Sequence, residues 1–213
     1  MKLDLFHAPR ACSIVSLIAL YEAGADFQLH PVHTRKQQQR TPEYLRMNPK
    51  GKVPVLVIDG EPLTENVAIL TWIAQTFQEK QLLPTGPQAI KALSLMAWCA
   101  SGMHPLMPRM NTPSRFSDLP AAEESIRRIG TQEMAKQFAI ADEMLAGREW
   151  VLDRWSIVDT YLWWVWERGG TYGLDRAPFT HYAGHAKRVE ARPATQRALA
   201  LAADLEAQFA KVA

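Results

Sequence analysis

The chain has 213 residues, of which 47% are hydrophobic and 22% charged, with 24 basic against 22 acidic side chains and a formal net charge of +2. That size suits two small domains better than one core, and the composition is that of an ordinary globular protein rather than a disordered or fibrous one. The charges are interspersed and form no basic block with interleaved aromatics, which argues against nucleic acid as a partner. The opening "MKLDLFHAPR" lacks the apolar run of a secretory signal, and no stretch nears 18 uninterrupted apolar residues, so no membrane span and a cytoplasmic location are expected. The two cysteines, Cys12 and Cys99, are far apart and lack CxxC or metal-ligand spacing, as in a compartment that keeps thiols reduced.

Residues 2–6 alternate as a short strand. The following "ACSIVSLIALYEAG" sets Ile14, Leu17, Ile18 and Tyr21 at helical spacing, with Gly24 placed to cap its C-terminus. Residues 26–32 read as a second strand, which makes the opening a βαβ unit with parallel strands. "TPEYLRMNP" is a short helix or turn stopped by Pro49. "VPVLVI" and "PLT", joined across Asp59-Gly60, carry a strong hairpin signal. "ENVAILTWIAQTF" aligns Ile69, Leu70, Ile73 and Phe77 on one helical stripe. Pro84, Gly86 and Pro87 then break the pattern, and strand signals vanish beyond them. The expected organisation is therefore an α/β domain over 1–78, a linker over 79–87 and an all-α domain over 88–213. In "WSIVD", Ser156 and Asp159 have the spacing of a capping box that starts a helix, a structural role.

Three stretches could carry chemistry. A thiol at the start of a helix with Arg10 two residues away is expected below its free value of about 8.5. Ser13 beside it could donate to another group's thiolate, or Cys12 and Ser13 could simply be an apolar filler and a helix cap. In "NPKGKVPVL", Pro54 could begin a strand, or a cis Val53-Pro54 bond could turn the Val53 amide and carbonyl outward to pair with a peptide-like ligand. In "LTENVAIL", Glu65 and Asn66 stand where a strand hands over to a helix, a place that suits the two charges of an α-amino acid but also favours such residues for capping. His181 and His185 have the i, i+4 spacing of metal ligands but no accompanying acid or cysteine motif, so a solvated helix start is the better reading. His104 ends a long apolar helix before Pro105, and the rings of "YLWWVW" read mainly as core.

Taken in order, "APRACSIVSLIALYEAGADF", "NPKGKVPVL", "LTENVAIL", the linker "LLP", "WSIVDTYL" and "RPATQRAL" resemble the bacterial cytosolic glutathione transferases over essentially the whole chain, and "APRACS" is similar to the "PGACS" of the beta class. The resemblance implies a thioredoxin-like N-terminal domain, βαβαββα, followed by an all-α domain. It implies glutathione as cosubstrate and no metal, with a small hydrophobic electrophile as second substrate and a homodimeric assembly. By the same resemblance, Val53 before a cis Pro54 pairs by backbone with the cysteinyl unit. Glu65 and Asn66 hold the γ-glutamyl end, with Asn66 in place of the usual serine, and Lys36 and Lys52 approach the glycine carboxylate. Ser13, Cys12 and His104 are the catalytic candidates, although Arg10 replaces a glycine and Pro105 stands where the beta class has a lysine. Met103, Met107, Met110 and Trp164 are candidates for the wall of the electrophile site. The expected activity is activation of the glutathione thiol for attack. The alternatives are thiol-disulfide exchange through Cys12 and a non-catalytic relative that binds ligands or proteins.

Overall fold

The structure, a computed structural model, describes residues 1–211. Two compact units emerge, one formed by Met1–Leu83 with residues 191–211, the other by Pro84–Glu190.

In the first unit, β1 (Leu3–His7), α1 (Ser13–Ala23), β2 (Gln28–Pro31), α2 (Pro42–Met47), β3 (Val55–Ile58), β4 (Glu61–Thr64) and α3 (Asn66–Thr76) follow one another. The thioredoxin-like order βαβαββα is thus present. The sheet runs β2-β1-β3-β4, with β1 parallel to β2 and antiparallel to β3, and β3 antiparallel to β4. Strand periodicity divides its residues between two faces. Phe6, Val55 and Val57 pack with Tyr44 and Met47 of α2, whereas Leu3, Leu5 and Leu56 lie on the opposite face and are fully buried. Gly24 adopts φ 64° and returns its N–H to the last turn of α1, and Asp59-Gly60 turns the hairpin with φ of 48° and 97°. Both are local backbone demands that the residue types answer directly.

The second unit contains α4 (Pro87–Ala97), which runs through a wide π-turn at Trp98–Met103 and a 3-10 turn at His104–Leu106 into α5 (Met107–Asn111). α6 (Glu123–Met144), α7 (Ile157–Thr171) and α8 (Thr180–Glu190) complete it. The capping box at α7 is formed as expected. Asp159 is fully buried and accepts from the Val151 and Ser156 N–H groups at 2.9 and 2.8 Å and from Ser156 Oγ at 3.2 Å. His185 Nε2 lies 2.9 Å from the same carboxylate and is itself buried, so it is an interior partner of α7 and not part of a solvated helix start. Among the described residues no cluster of three or more metal-binding side chains occurs.

The last helix departs from the expectation of one helical domain over 88–213. α9 (Pro193–Lys211) belongs to the first unit, where it packs on α1. Arg192 forms a two-pronged pair with Glu22 at 2.8 and 2.9 Å, Arg197 lies over the Tyr21 ring, and Phe209 stacks on His33. These side chains are distant in sequence from their partners, so helical periodicity alone could not assign the helix to a unit.

Replacing Asp159 with Ala leaves two buried N–H groups and His185 without their acceptor. Urea denaturation should show a loss of about 2–4 kcal/mol, and a loss near zero would mean that the buried carboxylate does not hold α7 to α8.

Candidate functional site

The candidate site is built on the starts of α1 and α3 and on the loop between α2 and β3. That loop is fixed by Asn48, which is buried. Its Nδ2 donates to the Lys52 carbonyl at 2.7 Å, its Oδ1 accepts the Lys50 N–H at 3.2 Å, and its carbonyl accepts the Gly51 N–H at 2.9 Å. Tyr44 Oη also donates to the Lys52 carbonyl, at 2.8 Å. Gly51 has φ 58°, and a Cβ there would lie 3.0 Å or less from the Arg40 side chain. Turn geometry and close approach together call for glycine at this position. The loop leads into the Val53-Pro54 bond, which is cis, and the Cys12 thiol points at the Val53 carbonyl with Sγ 3.5 Å from the oxygen. Two stretches 41 residues apart are thereby brought to one place.

The electrostatics of Cys12 differ from the expectation of a depressed thiol. Burial pushes it up to about 12. Its own N–H and that of Ser13 pull it down, as does Lys52, while Glu65 adds to the rise. Arg10 pairs with Glu206 at 2.9 Å, both side chains being about half exposed. A helix start offers a thiolate at most about 1 kcal/mol at an exposed position, less than one pKa unit, so burial wins.

Ser13 is not placed to donate to a ligand. It is fully buried as the first residue of α1. Its Oγ accepts the Ala8 N–H at 3.1 Å and lies 2.8 Å from His7 Nδ1 and 3.3 Å from the Ala8 carbonyl. The hydroxyl therefore closes the turn between β1 and α1, and it neither caps the helix nor opens outward. Asn66 is also committed inside the protein. Its Oδ1 accepts Ser16 Oγ at 2.6 Å and its Nδ2 donates to the Cys12 carbonyl at 2.8 Å. The side-chain grip on a ligand carboxylate expected of Asn66 is thus replaced by a brace between α3 and α1.

Glu65 is exposed and holds φ 72°, a left-handed conformation rarely adopted by a side-chain-bearing residue. Its carboxylate meets Lys50 Nζ, which donates to Glu65 Oε1 at 2.5 Å and to Thr64 Oγ1 at 2.8 Å. Lys50 escaped the sequence reading, and so did Arg40 beside Gly51; the only sequence signal for either was a cluster of basic residues around a glycine. Lys52 is exposed on the fixed loop, and Lys36 is exposed at the end of a 3-10 turn, Thr34–Lys36.

The remaining candidates belong to the second unit. His104 meets Trp164 edge-on at 4.7 Å between ring centroids. Met103, Met107 and Met110 are no more than 3% exposed, as is Trp164. They are packed interior residues that offer no open wall of their own, which corrects the expectation placed on them; an apolar stripe at helical spacing fills the core first.

Known proteins resemble the chain over most of its length. Residues 1–75 match the family model "Glutathione S-transferase, N-terminal domain". The chain is 31% identical over 202 residues to the glutathione S-transferase GstA of Escherichia coli O157:H7, covering 92% of this chain and 97% of that one. The chain belongs to the glutathione S-transferase family. A sphingomonad glutathione S-transferase solved in complex with glutathione is 30% identical with a TM-score of 0.84, covering 94% of this transferase and 98% of its own chain. The beta-class enzyme of Sphingomonas chungbukensis is 27% identical with a TM-score of 0.83, covering 93% and 98%.

One titration follows from this site. Burial holds the His7 imidazole down at about 4, against an opposing effect of the Ser13 backbone. A histidine depressed in the folded state takes up its proton more readily when unfolded, so the transferase loses stability as pH falls from about 6.5 toward 4. Between pH 7 and pH 5 the loss due to His7 should be about 2 kcal/mol by chemical denaturation. In His7→Asn, whose amide oxygen can still accept from Ser13, the dependence should flatten by that amount. An unchanged slope would show that His7 is not the group responsible.

Proposed function

We propose that this transferase binds glutathione on its first unit and uses the bound thiolate to attack a small hydrophobic electrophile, acting as a cytoplasmic homodimer. The observation that carries the reading is the convergence of the Val53 main chain, the start of α1 and the Glu65 carboxylate on one unit. A peptide whose cysteinyl unit pairs with the Val53 backbone would set its sulfur by the first turn of α1, because the Val53 carbonyl already lies at the Cys12 thiol. Glu65 offers its carboxylate to the γ-glutamyl ammonium, and Lys52 and Lys36 offer cations to the glycine end.

Thiol activation falls to backbone groups in this reading. The N–H groups of Cys12 and Ser13 already favour a thiolate near Cys12 Sγ, and a substrate sulfur in that neighbourhood would meet the same donors. Each pKa unit of activation needs only ~1.4 kcal/mol of preference for the ionised form, which two aimed amides and a helix start can supply. Catalysis is then ionisation plus positioning. Disulfide exchange through Cys12 is the weaker reading, since a thiol pushed up to about 12 is almost wholly protonated at neutral pH. His104, beside Trp164 in the second unit, is retained as a candidate.

The test is turnover of glutathione with a generic aryl halide. Cys12→Ala should stay within about threefold of the wild type. Ser13→Ala should leave the pH profile of kcat/KM in place while lowering the melting temperature, as expected for a turn-closing hydroxyl. A loss beyond a hundredfold in Cys12→Ala would make Cys12 a catalytic residue and overturn the backbone mechanism.

A further inference from the structure

Asn66 presents a difficulty for recognition of the γ-glutamyl end. An α-amino acid carries an ammonium and a carboxylate on one carbon, and Glu65 answers only the first. The Asn66 amide, whose position would suit the second, already bonds to Ser16 and to the Cys12 carbonyl, and it is neutral, so it brings no full positive charge to a carboxylate. A cation stands next to Glu65, however. Lys50 Nζ has three N–H donors, of which Thr64 Oγ1 and Glu65 Oε1 take two. Glu65 uses one carboxylate oxygen for Lys50 and has Oε2 to offer, and it is held there by a backbone with φ 72°. Strain of this kind concentrates at ligand clamps. The Lys50 main chain is itself fixed by Asn48, so the ammonium is tethered to the rigid loop that carries Val53. The pair is about half exposed, so its two members are not locked together by desolvation.

From this juxtaposition we propose that Lys50 is a specificity-determining residue that takes the α-carboxylate of the γ-glutamyl group, while Glu65 Oε2 takes the neighbouring ammonium. The Lys50-Glu65 pair is then a preformed complement to a zwitterion, with opposite charges side by side in the order the ligand needs. The inference rests on the reading that Glu65 holds the γ-glutamyl end. It assigns to Lys50 the charged carboxylate contact that the neutral Asn66 amide does not supply.

Calorimetry on the full chain tests it with two ligands, glutathione and 4-aminobutyryl-cysteinyl-glycine, which lacks only the α-carboxylate. Salt should be added until the Debye length is a few ångströms, so that long-range attraction is screened. Lys50→Met should weaken glutathione binding five- to tenfold and leave the decarboxylated peptide unchanged, the size expected for one charge-assisted bond. Lys50→Arg should bind glutathione within about twofold of the wild type. Equal weakening of both ligands, or of neither, overturns the assignment. Glu65→Gln separates this failure from failure of the site: if it binds glutathione as tightly as the wild type, the γ-glutamyl reading itself falls, whereas if it binds weakly and Lys50→Met is silent, only the role of Lys50 falls.

Discussion

Asn66 opens α3 and bonds twice across to the start of α1. Its Nδ2 takes the carbonyl of Cys12 and its Oδ1 takes the hydroxyl of Ser16, both at distances of 2.8 Å or less and with the side chain buried. Such a brace sets the Cys12 end of α1 against the Glu65 end of α3, and the rest of the site depends on that spacing. A buried amide that lost one of these partners would carry an unsatisfied polar group costing about 1–3 kcal/mol, so the arrangement is strongly specified. A hydroxyl at this position would have to make both bonds through one oxygen. The asparagine therefore gains rigidity between the helices by turning its side chain to α1. A full positive charge for a carboxylate then has to come from elsewhere, which gives the neighbouring Lys50 its importance.

A second constraint acts on sulfur. The first turn of α1 presents N–H groups where a thiolate would gather them, and on that ground alone Cys12 should be acidic. Desolvation works the other way and is the larger effect. The same competition acts on His7 on the other side of the turn, where burial keeps the imidazole neutral and leaves Ser13 as its partner. Cys12 and His7 are thus both held in their uncharged forms. Amide donors in such surroundings interact little with resident groups, which keeps them available to an ionised ligand.

The structure also shows which features local sequence can express. Gly24, Asp59-Gly60 and the Ser156–Asp159 box were legible because each satisfies a requirement of a few adjacent residues: a left-handed backbone, a tight turn, or an unpaired N–H at a helix start. The thioredoxin-like order of strands and helices followed from the same local signals. Ser13, Asn66 and Lys50 were not legible in their roles because each is decided by partners brought in by the fold: His7 across the turn, Cys12 and Ser16 across two helices, Glu65 across the hairpin. Residue type alone is consistent with opposite assignments, since the hydroxyl that can donate to a thiolate can equally close a turn. The placement of α9 is the same lesson on a larger scale, because its amphipathic pattern states that one face is buried without stating against what.

His185 completes that contrast with a case where a plausible pattern had another cause. Its spacing from His181 is what two metal ligands on one helix face would have, yet the side chain is buried against Asp159. A buried carboxylate has to be answered by several donors, because desolvating it unpaired would cost more than the packing around it returns. Ser156 of the capping box supplies two bonds and the Val151 N–H a third, and the histidine brings α8 to the same group. In this unit, therefore, the charge of Asp159 is spent on joining two helices, just as in the first unit the amide of Asn66 is. Polar groups buried early in an element serve the architecture, and the groups that face a ligand are the ones the architecture leaves half exposed.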